Sequence, residues 1–129
     1  MTVALVIVSH SEQLAAGVVE LTGQMARDVV LRAAAGTDDG RIGTSFDKVN
    51  DAVTELRAAG HDVVILTDLG SATMTVEAVL DFLDDDEKKH VVFADGPLVE
   101  GAVAAGVTAQ VGGDIAAVAQ AARARELFA

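Results

Sequence analysis

Three of the 129 residues are histidines, the side chain best suited to move a proton or another group near neutral pH. His10 stands apart because of what precedes it. It follows a run of apolar, mostly β-branched residues, V-A-L-V-I-V (3–8), and lies between two serines. Such an unbroken run is typical of a strand buried on both faces. Because open parallel sheets bind ligands beyond the carboxyl ends of their strands, chemistry is expected at His10.

The other two histidines are interpreted as connector residues. His61 follows a glycine that ends a predicted helix, and His90 follows two lysines and begins a predicted strand. A second interpretation of His10 stays open at this point, in which its side chain only caps or hydrogen-bonds the following helix.

Asp68 is the candidate partner of His10. A histidine nucleophile needs a fixed ring, in which one nitrogen donates to an acceptor and the other keeps its lone pair free. Asp68 closes a predicted strand, D-V-V-I-L-T (62–67), as His10 closes the first one. In a flavodoxin-like strand order, 2-1-3-4, these two strands are neighbours. The alternative is that Asp68 merely caps the next helix.

Two short segments offer the small residues and backbone N–H groups that a phosphoryl group requires. They are Gly43-Thr44-Ser45 after the second strand and Gly70-Ser71 after the third. Neither is a P-loop, and no G-x-G-x-x-G follows the first strand, so no nucleotide cofactor is expected. Ordinary turn chemistry is the alternative interpretation of these glycines.

Three other polar features are assigned as follows. Ser11 is the predicted N-cap of the first helix and is included among the phosphoryl-binding candidates. Glu100 is interpreted as an exposed helix residue, with contact to the site as the alternative. The acidic run D-D-D-E (84–87) lacks the interleaved spacing of an EF-hand, so we expect a solvated turn and no metal site.

The elements that must position these residues alternate between strand and helix patterns. Strands are predicted in the stretch 3–11 and at 29–35, 62–67 and 90–94, with a short fifth at 107–111. Helices are predicted at 12–27, 46–59, 75–83, 97–105 and from 114 to about 127. Thr44 or Ser45 would cap the second helix, Gly60 would end it, and Pro97 would be a first helical residue. This alternation predicts a single α/β domain over 1–129, with a mainly parallel sheet and helices on both faces.

Composition narrows the class of protein. Half of the chain is apolar, cysteine is absent, and the formal net charge is −11. The missing cysteines exclude disulfides, thiolate catalysis and Cys-based zinc sites. The negative charge argues against binding nucleic acid and fits either a basic partner surface or simple solubility. Neither a signal peptide nor a membrane span is indicated, so a soluble cytoplasmic protein is expected.

Four blocks in this order carry a family resemblance: V-I-V-S-H-S, A-A-A-G-T-D-D-G-R-I-G-T-S, T-D-L-G-S-A and P-L-V-E-G-A. They resemble the phosphotransfer subunit of phosphoenolpyruvate-dependent dihydroxyacetone kinase, whose first domain is similar to the mannose-type IIA domains of the sugar phosphotransferase system. The resemblance covers residues 3 to about 118. It implies a flavodoxin-like fold, a homodimer and a histidine phosphorylated by the carrier HPr. That histidine falls on His10, with Asp68 as its acidic partner and Nε2 as the phosphorylated nitrogen.

The resemblance also implies that the phosphoryl group passes to ADP held by the nucleotide-binding subunit of the kinase, so that this chain binds no cofactor itself. Some family members carry HPr-like and enzyme I-like domains, whereas this chain is expected to rely on separate carriers. Asp95 and Gly96 depart from the apolar pair expected before Pro97. Two alternatives remain: a mannose-type IIA domain that phosphorylates the IIB domain of a sugar transporter, and a non-catalytic flavodoxin-like binding module with a structural His10.

Overall fold

The fold is built on a four-stranded parallel sheet. The computed structural model describes residues 2–124. The strands are β1 (Val3–Ser9), β2 (Leu31–Ala35), β3 (Asp62–Thr67) and β4 (Val91–Phe93). Their order is β2-β1-β3-β4, and all three pairings are parallel. The predicted order 2-1-3-4 is therefore confirmed, and β1 and β3 are the two central strands.

Helices cover both faces of this sheet, as predicted. They are α1 (Glu12–Met25), α2 (Phe46–Ala58), α3 (Gly70–Phe82), α4 (Asp85–Lys88), α5 (Leu98–Gln110) and α6 (Ile115–Arg123). Successive residues of β1 point to opposite faces, so Ile7 packs into the core shared with α1, α5 and α6, and Val8 into the core shared with α2 and α3. All seven β1 residues are buried, which explains why the strand reads as a continuous apolar run.

The predicted starts of the first two long helices are confirmed, whereas α1 ends at Met25, two residues before its predicted end at 27. The Ser11 hydroxyl accepts a hydrogen bond from the Leu14 N–H at 3.2 Å, and the Ser45 hydroxyl accepts one from the Lys48 N–H at 3.2 Å. Gly60 follows α2 with a φ of +90°, the left-handed conformation that glycine adopts without a steric penalty. These caps fix where α1 and α2 begin relative to the strand ends before them.

The predicted fifth strand at 107–111 is wrong, because α5 continues through this segment to Gln110. The valines at 107 and 111 resemble a strand in sequence, but Val107 is exposed on α5 and Val111 is the exposed C-cap of that helix. The helix is favoured because Gly106 lets α5 approach α1 closely: a Cβ there would lie 2.7 Å from Thr22 Cγ2. The contact depends on residues more than 80 positions apart, so no local pattern reveals it.

Several predicted boundaries also differ from the structure. Helix α3 begins at Gly70, five residues before the predicted start at 75, and the acidic run at 84–89 contains the short helix α4 rather than a plain turn. Strand β2 begins at Leu31, and Pro97 is the N-cap of α5 rather than its first residue. The last predicted helical residues, 125–127, lie outside the described residues. The early start of α3 matters most, since it moves Gly70 and Ser71 from a loop into a helix.

Two glycine-to-alanine substitutions are expected to change stability in opposite directions. Gly101→Ala should destabilise the fold by about 1–3 kcal/mol, because the added methyl would overlap the Ala122 carbonyl oxygen and lie 3.1 Å from Leu66 Cδ2. Gly17→Ala, in α1, should stabilise it by about 0.5–1 kcal/mol, because nothing lies near the added methyl and alanine favours a helix. Urea unfolding measures both free energies; stabilisation by both substitutions would contradict the close α5–α6 packing.

Candidate active site

The ends of β1 and β3 bring His10 and Asp68 together. Val8 pairs with Thr67 in the parallel ladder, and the Asp68 N–H donates to the Val8 carbonyl at 3.2 Å. The next residues of each strand therefore project from the same edge of the sheet. The His10 Nδ1 lies 2.9 Å from Asp68 Oδ1, and the two side chains are 19% and 10% exposed. The predicted pairing of these residues is present in the structure.

Three further hydrogen bonds hold the Asp68 carboxylate. Its Oδ2 accepts from the Ser9 hydroxyl at 2.8 Å and from the His10 N–H at 2.9 Å, and its Oδ1 accepts from the Leu69 N–H at 2.7 Å. Burial disfavours the charged carboxylate, but these donors outweigh it and hold the pKa of Asp68 below its ordinary value. An ionised Asp68 accepts the Nδ1–H of a neutral His10, which leaves the Nε2 lone pair available.

The N-terminus of α3 lies beside this nitrogen. Ser71 is the second residue of α3, and its hydroxyl oxygen is 2.5 Å from His10 Nε2. The N-cap of α3 is Leu69, which makes no side-chain capping bond, and the first turn contains no acidic residue. Asp68 therefore does not cap α3, contrary to the alternative interpretation. The first turn, which includes Gly70, therefore has backbone N–H groups without a side-chain cap, and the positive end of the helix dipole lies at the Ser71 contact with the ring.

The loop after β2 holds the end of β1 in place. The Gly36 N–H donates to the Ser9 carbonyl at 3.1 Å, and the Gly43 N–H donates to the His10 carbonyl at 2.9 Å. Gly43 has a φ of +146°, and a Cβ there would lie 2.6 Å from Thr37 Cγ2. In this structure the Gly43 N–H is therefore engaged by the His10 carbonyl, and its predicted role in binding a phosphoryl group stays a prediction.

Ser45 and Ser11 are also engaged in local structure. The Ser45 hydroxyl caps α2 and donates to the Asp38 carboxylate, so its proton is not free for a phosphoryl oxygen. The Ser11 hydroxyl caps α1, and the Ser11 N–H donates to the Ser9 hydroxyl at 3.1 Å. Of the predicted phosphoryl-binding set, these two are placed as helix caps rather than as residues facing His10 Nε2.

Thr44 joins the loop to α3. Its hydroxyl lies 2.8 Å from that of Thr75, which in turn lies one helical turn after Ser71. The predicted site residues that contact His10 are thus Asp68 and Ser71, with Thr44 one contact removed and Gly70 next to Ser71 at the start of α3. Sequence reasoning missed Ser9, whose hydroxyl donates to Asp68. The signal in the sequence is that Ser9 directly precedes the histidine that ends the strand.

The remaining candidates lie elsewhere. Glu100 lines an open groove on α5 with Val99, Val103 and Val107 and has no contact with His10. His61 Nδ1 lies 2.5 Å from the Thr2 hydroxyl, and His90 Nδ1 lies 2.8 Å from Asp62 Oδ1. Because Asp62 is the first residue of β3, these histidines belong to the opposite edge of the sheet.

Within residues 2–124, no three metal-ligating side chains are grouped closely enough to hold a metal ion. The helices in the same range are too short or insufficiently apolar to cross a bilayer. The chemical groups that the structure assembles at His10 are an oriented imidazole, a carboxylate and a helix N-terminus.

The low pKa of Asp68 predicts how stability depends on pH. Because the folded protein favours ionised Asp68, its contribution to stability is present above the carboxyl pKa of the unfolded chain and is lost as pH falls through the lower folded pKa. The difference in unfolding free energy between the wild type and Asp68→Asn should therefore shrink as pH falls below about 4. Urea unfolding of both proteins at several pH values measures it, and a difference that does not change with pH would contradict the expectation.

Comparison with known proteins decides the family. Residues 4–119 match the EIIA-man family, described as the fructose IIA component of the phosphotransferase system. This chain belongs to the EIIA-man family. Its β1–α1 and β3–α3 junctions, with His10 and Asp68, lie inside the matched range.

Three curated proteins that are similar in sequence to this EIIA-man chain carry closely related names. The phosphoryl donor subunit DhaM of PEP-dependent dihydroxyacetone kinase 1 from Listeria innocua is 41% identical over 82% of this chain and 81% of its own length. The phosphotransferase subunit DhaM of the PTS-dependent dihydroxyacetone kinase from Lactococcus lactis is 36% identical over 92% and 91%. The Escherichia coli DhaM is 42% identical over 88% of this chain, which spans 25% of that longer protein.

Solved structures confirm the EIIA-man fold. A crystal structure of a protein of unknown function is 32% identical, covers 96% of this chain and 95% of its own, and superposes with a TM-score of 0.88. The mannose/sorbose-specific IIA subunit of the phosphotransferase system from Enterococcus faecalis superposes with a TM-score of 0.51 at 17% identity, covering 99% and 89%. The second likeness bears on the fold alone.

Proposed function

We propose that this chain is the phosphoryl carrier of a PEP-dependent dihydroxyacetone kinase. His10 accepts a phosphoryl group from the carrier HPr and passes it to ADP bound on the nucleotide-binding subunit of that kinase. One observation carries the proposal: Asp68 holds His10 Nδ1 at 2.9 Å, so that Nε2 faces the N-terminus of α3. The names of the relatives, phosphoryl donor and phosphotransferase subunits, support the assignment.

The proposed transfer needs positioning and charge stabilisation more than covalent chemistry. The Nε2 lone pair of His10 attacks the phosphorus of the donor's phosphohistidine, and the new N–P bond forms as the donor's N–P bond breaks. The Nδ1 proton stays in place, and Asp68 stabilises the positive charge that develops on the ring. In the second step an oxygen of ADP attacks the same phosphorus, and the bond to Nε2 breaks.

Ser71 changes partner in this proposal. Its hydroxyl lies 2.5 Å from Nε2, where it can donate to the lone pair of the unreacted ring. Bond formation at Nε2 removes that lone pair, and the hydroxyl is then free to donate to a phosphoryl oxygen. The N–H groups of Gly70 and Ser71, at the uncapped start of α3, add two donors of the kind that suits an anion.

We propose that the chain acts as a homodimer, and α5 offers the surface that fits a second copy. The side chains of Val99, Val103 and Val107 line an open apolar groove, and the first turn contributes a single acidic residue, Glu100. Two chains that each carry a net charge of −11 repel least where they meet through uncharged residues. Val103→Glu should shift the sedimentation coefficient from dimer to monomer; an unchanged coefficient would exclude this face.

A reconstituted relay tests the function. The protein is mixed with enzyme I, HPr and labelled phosphoenolpyruvate, and the label is located by mass spectrometry without acid. The proposal predicts label on His10 and its discharge to ADP by the nucleotide-binding subunit of the kinase. Label on His10 that moves only to a IIB domain would assign the protein to a sugar transporter. Absence of label with a competent carrier would leave a non-catalytic binding module.

A further inference from the structure

The side chains of Ser71, His10 and Asp68 form a continuous hydrogen-bonded chain. The Ser71 hydroxyl lies 2.5 Å from His10 Nε2, and His10 Nδ1 lies 2.9 Å from Asp68 Oδ1. A hydroxyl on one ring nitrogen and a carboxylate on the other make the arrangement of a hydrolase catalytic triad, which is recognised by geometry and not by chain order. In the proposed phosphoryl transfer the Ser71 hydroxyl acts only after the N–P bond has formed, so its contact with the unreacted ring has no role there.

The direction of these hydrogen bonds makes Ser71 the candidate nucleophile. An ionised Asp68 accepts the Nδ1–H of His10, so Nε2 carries the lone pair and the Ser71 hydroxyl is the donor to it. Nε2 can then take the hydroxyl proton as a general base while the Ser71 oxygen attacks a substrate. The Ser9 hydroxyl and the Leu69 N–H, at 2.8 and 2.7 Å, fix the carboxylate that orients this base.

The position of Ser71 gives a substrate access and provides donors for a developing negative charge. Ser71 is exposed, whereas Ala72 after it is buried. Ser71 is the second residue of α3, and within residues 2–124 the N–H groups of Gly70 and Ser71 donate to no backbone carbonyl. Such donors, at the positive end of a helix and next to the hydroxyl, favour the oxyanion that forms when an acyl carbon is attacked.

We propose that the unphosphorylated protein has a second activity, the hydrolysis of small uncharged esters through an acyl group on Ser71. The Ser71 oxygen bonds to the acyl carbon as its proton passes to His10 Nε2, and the alcohol leaves with that proton as the ester C–O bond breaks. Water, deprotonated by Nε2, then attacks the acyl carbon, and the carboxylic acid leaves as Ser71 recovers a proton. Uncharged esters are the favoured class, because a net charge of −11 repels anions.

The ester p-nitrophenyl acetate is the probe, and release of p-nitrophenolate is followed by absorbance. We expect kcat/KM to be at least about 10²-fold lower in Ser71→Ala than in the wild type, the lower end of the contribution of a general base and its nucleophile. Alanine at this exposed helical position should not disturb the fold. Asp68→Asn should also lose activity, because the ring that carries the base is no longer fixed.

Two variants serve as controls and should keep the wild-type rate. Thr54→Ala also removes an exposed hydroxyl from a helix, in α2, and His90→Gln removes an imidazole that could hydrolyse the ester by itself. The acyl position is tested with a fluorophosphonate, which bonds stably to activated serines. Mass spectrometry should find this adduct on Ser71 in the wild type and on no residue in Ser71→Ala.

The other outcomes would overturn the inference. Equal rates in the wild type and Ser71→Ala, or an acetyl group on His10, would mean that the ring itself is the nucleophile. An Asp68→Asn variant as active as the wild type would exclude the three-residue arrangement, and a loss in Thr54→Ala or His90→Gln would assign the hydrolysis to another part of the surface. The relay with enzyme I and HPr measures phosphoryl transfer separately, so the failure of one activity is distinguished from the failure of the other.

Discussion

His10→Gln is expected to abolish phosphoryl transfer, with no residual label on the protein. Glutamine keeps a hydrogen-bonding group of similar reach toward Asp68, which lies 2.9 Å from Nδ1, so the fold around the strand end should persist. It lacks a nitrogen lone pair that can form an N–P bond, since the amide nitrogen lone pair is delocalised. The measurement is incorporation of label from phosphoenolpyruvate through enzyme I and HPr. A matched far-UV circular dichroism spectrum and melting temperature show that the loss is chemical.

His90→Gln provides the control. His90 is also bonded through Nδ1 to an aspartate, Asp62 Oδ1 at 2.8 Å, but at the opposite edge of the sheet. We expect the His90 variant to accept and discharge label at the wild-type rate. Label on the His10 variant, or its loss in the His90 variant, would assign the nucleophile to a different residue.

Asp68→Asn is expected to leave a folded protein that transfers about 10²–10³ times more slowly, the scale for removing one preorganised group from a reacting centre. Each carboxylate oxygen of Asp68 accepts two donors: the Ser9 hydroxyl and His10 N–H on one, the His10 ring and Leu69 N–H on the other. The amide nitrogen of asparagine accepts neither pair. Either orientation therefore leaves two donors facing the amide N–H₂ group, and the orientation that places this group against His10 frees its ring to turn.

Two measurements together test the effect of Asp68→Asn: the rate of labelling and the tautomeric state of the His10 ring. Nitrogen NMR of the His10 ring should show the Nδ1–H tautomer in the wild type and a mixture in Asp68→Asn. Asp62→Asn is the matched control, because Asp62 also holds a histidine but lies far from His10. Labelling of the Asp68 variant at the wild-type rate would mean that ring orientation does not limit transfer.

Sequence patterns were sufficient for the elements whose signals are local. The buried run of β1 and the apolar run of β3 predict both central strands, and the strand order then predicts that His10 and Asp68 meet. Ser11 is predicted as one cap and Thr44 or Ser45 as another because a hydroxyl residue before an amphipathic stretch marks a helix start, and the structure selects Ser11 and Ser45. These features depend on residues close together in the chain, which is why they are readable from it.

The parts that could not be predicted depend on distant contacts. The false fifth strand arises because valine and threonine favour strands, while the packing of Gly106 against Thr22 keeps the segment helical. The hydrogen bond from the Gly43 N–H to the His10 carbonyl also depends on a distant contact that no local pattern reveals. The Gly70-Ser71 segment reads as a turn, yet it forms the start of α3 without any capping side chain.

That uncapped start has a thermodynamic consequence. In α1 and α2 a serine hydroxyl satisfies the first turn, and in α3 no side chain does. On the proposed function, a phosphoryl group on His10 becomes the missing cap, so the phosphorylated protein should melt at a higher temperature. Linkage makes the effect reciprocal. In a Leu69→Ser variant, α3 is already capped by a side chain and gains less stability from the phosphoryl group. His10 of this variant is therefore expected to give up the phosphoryl group more readily.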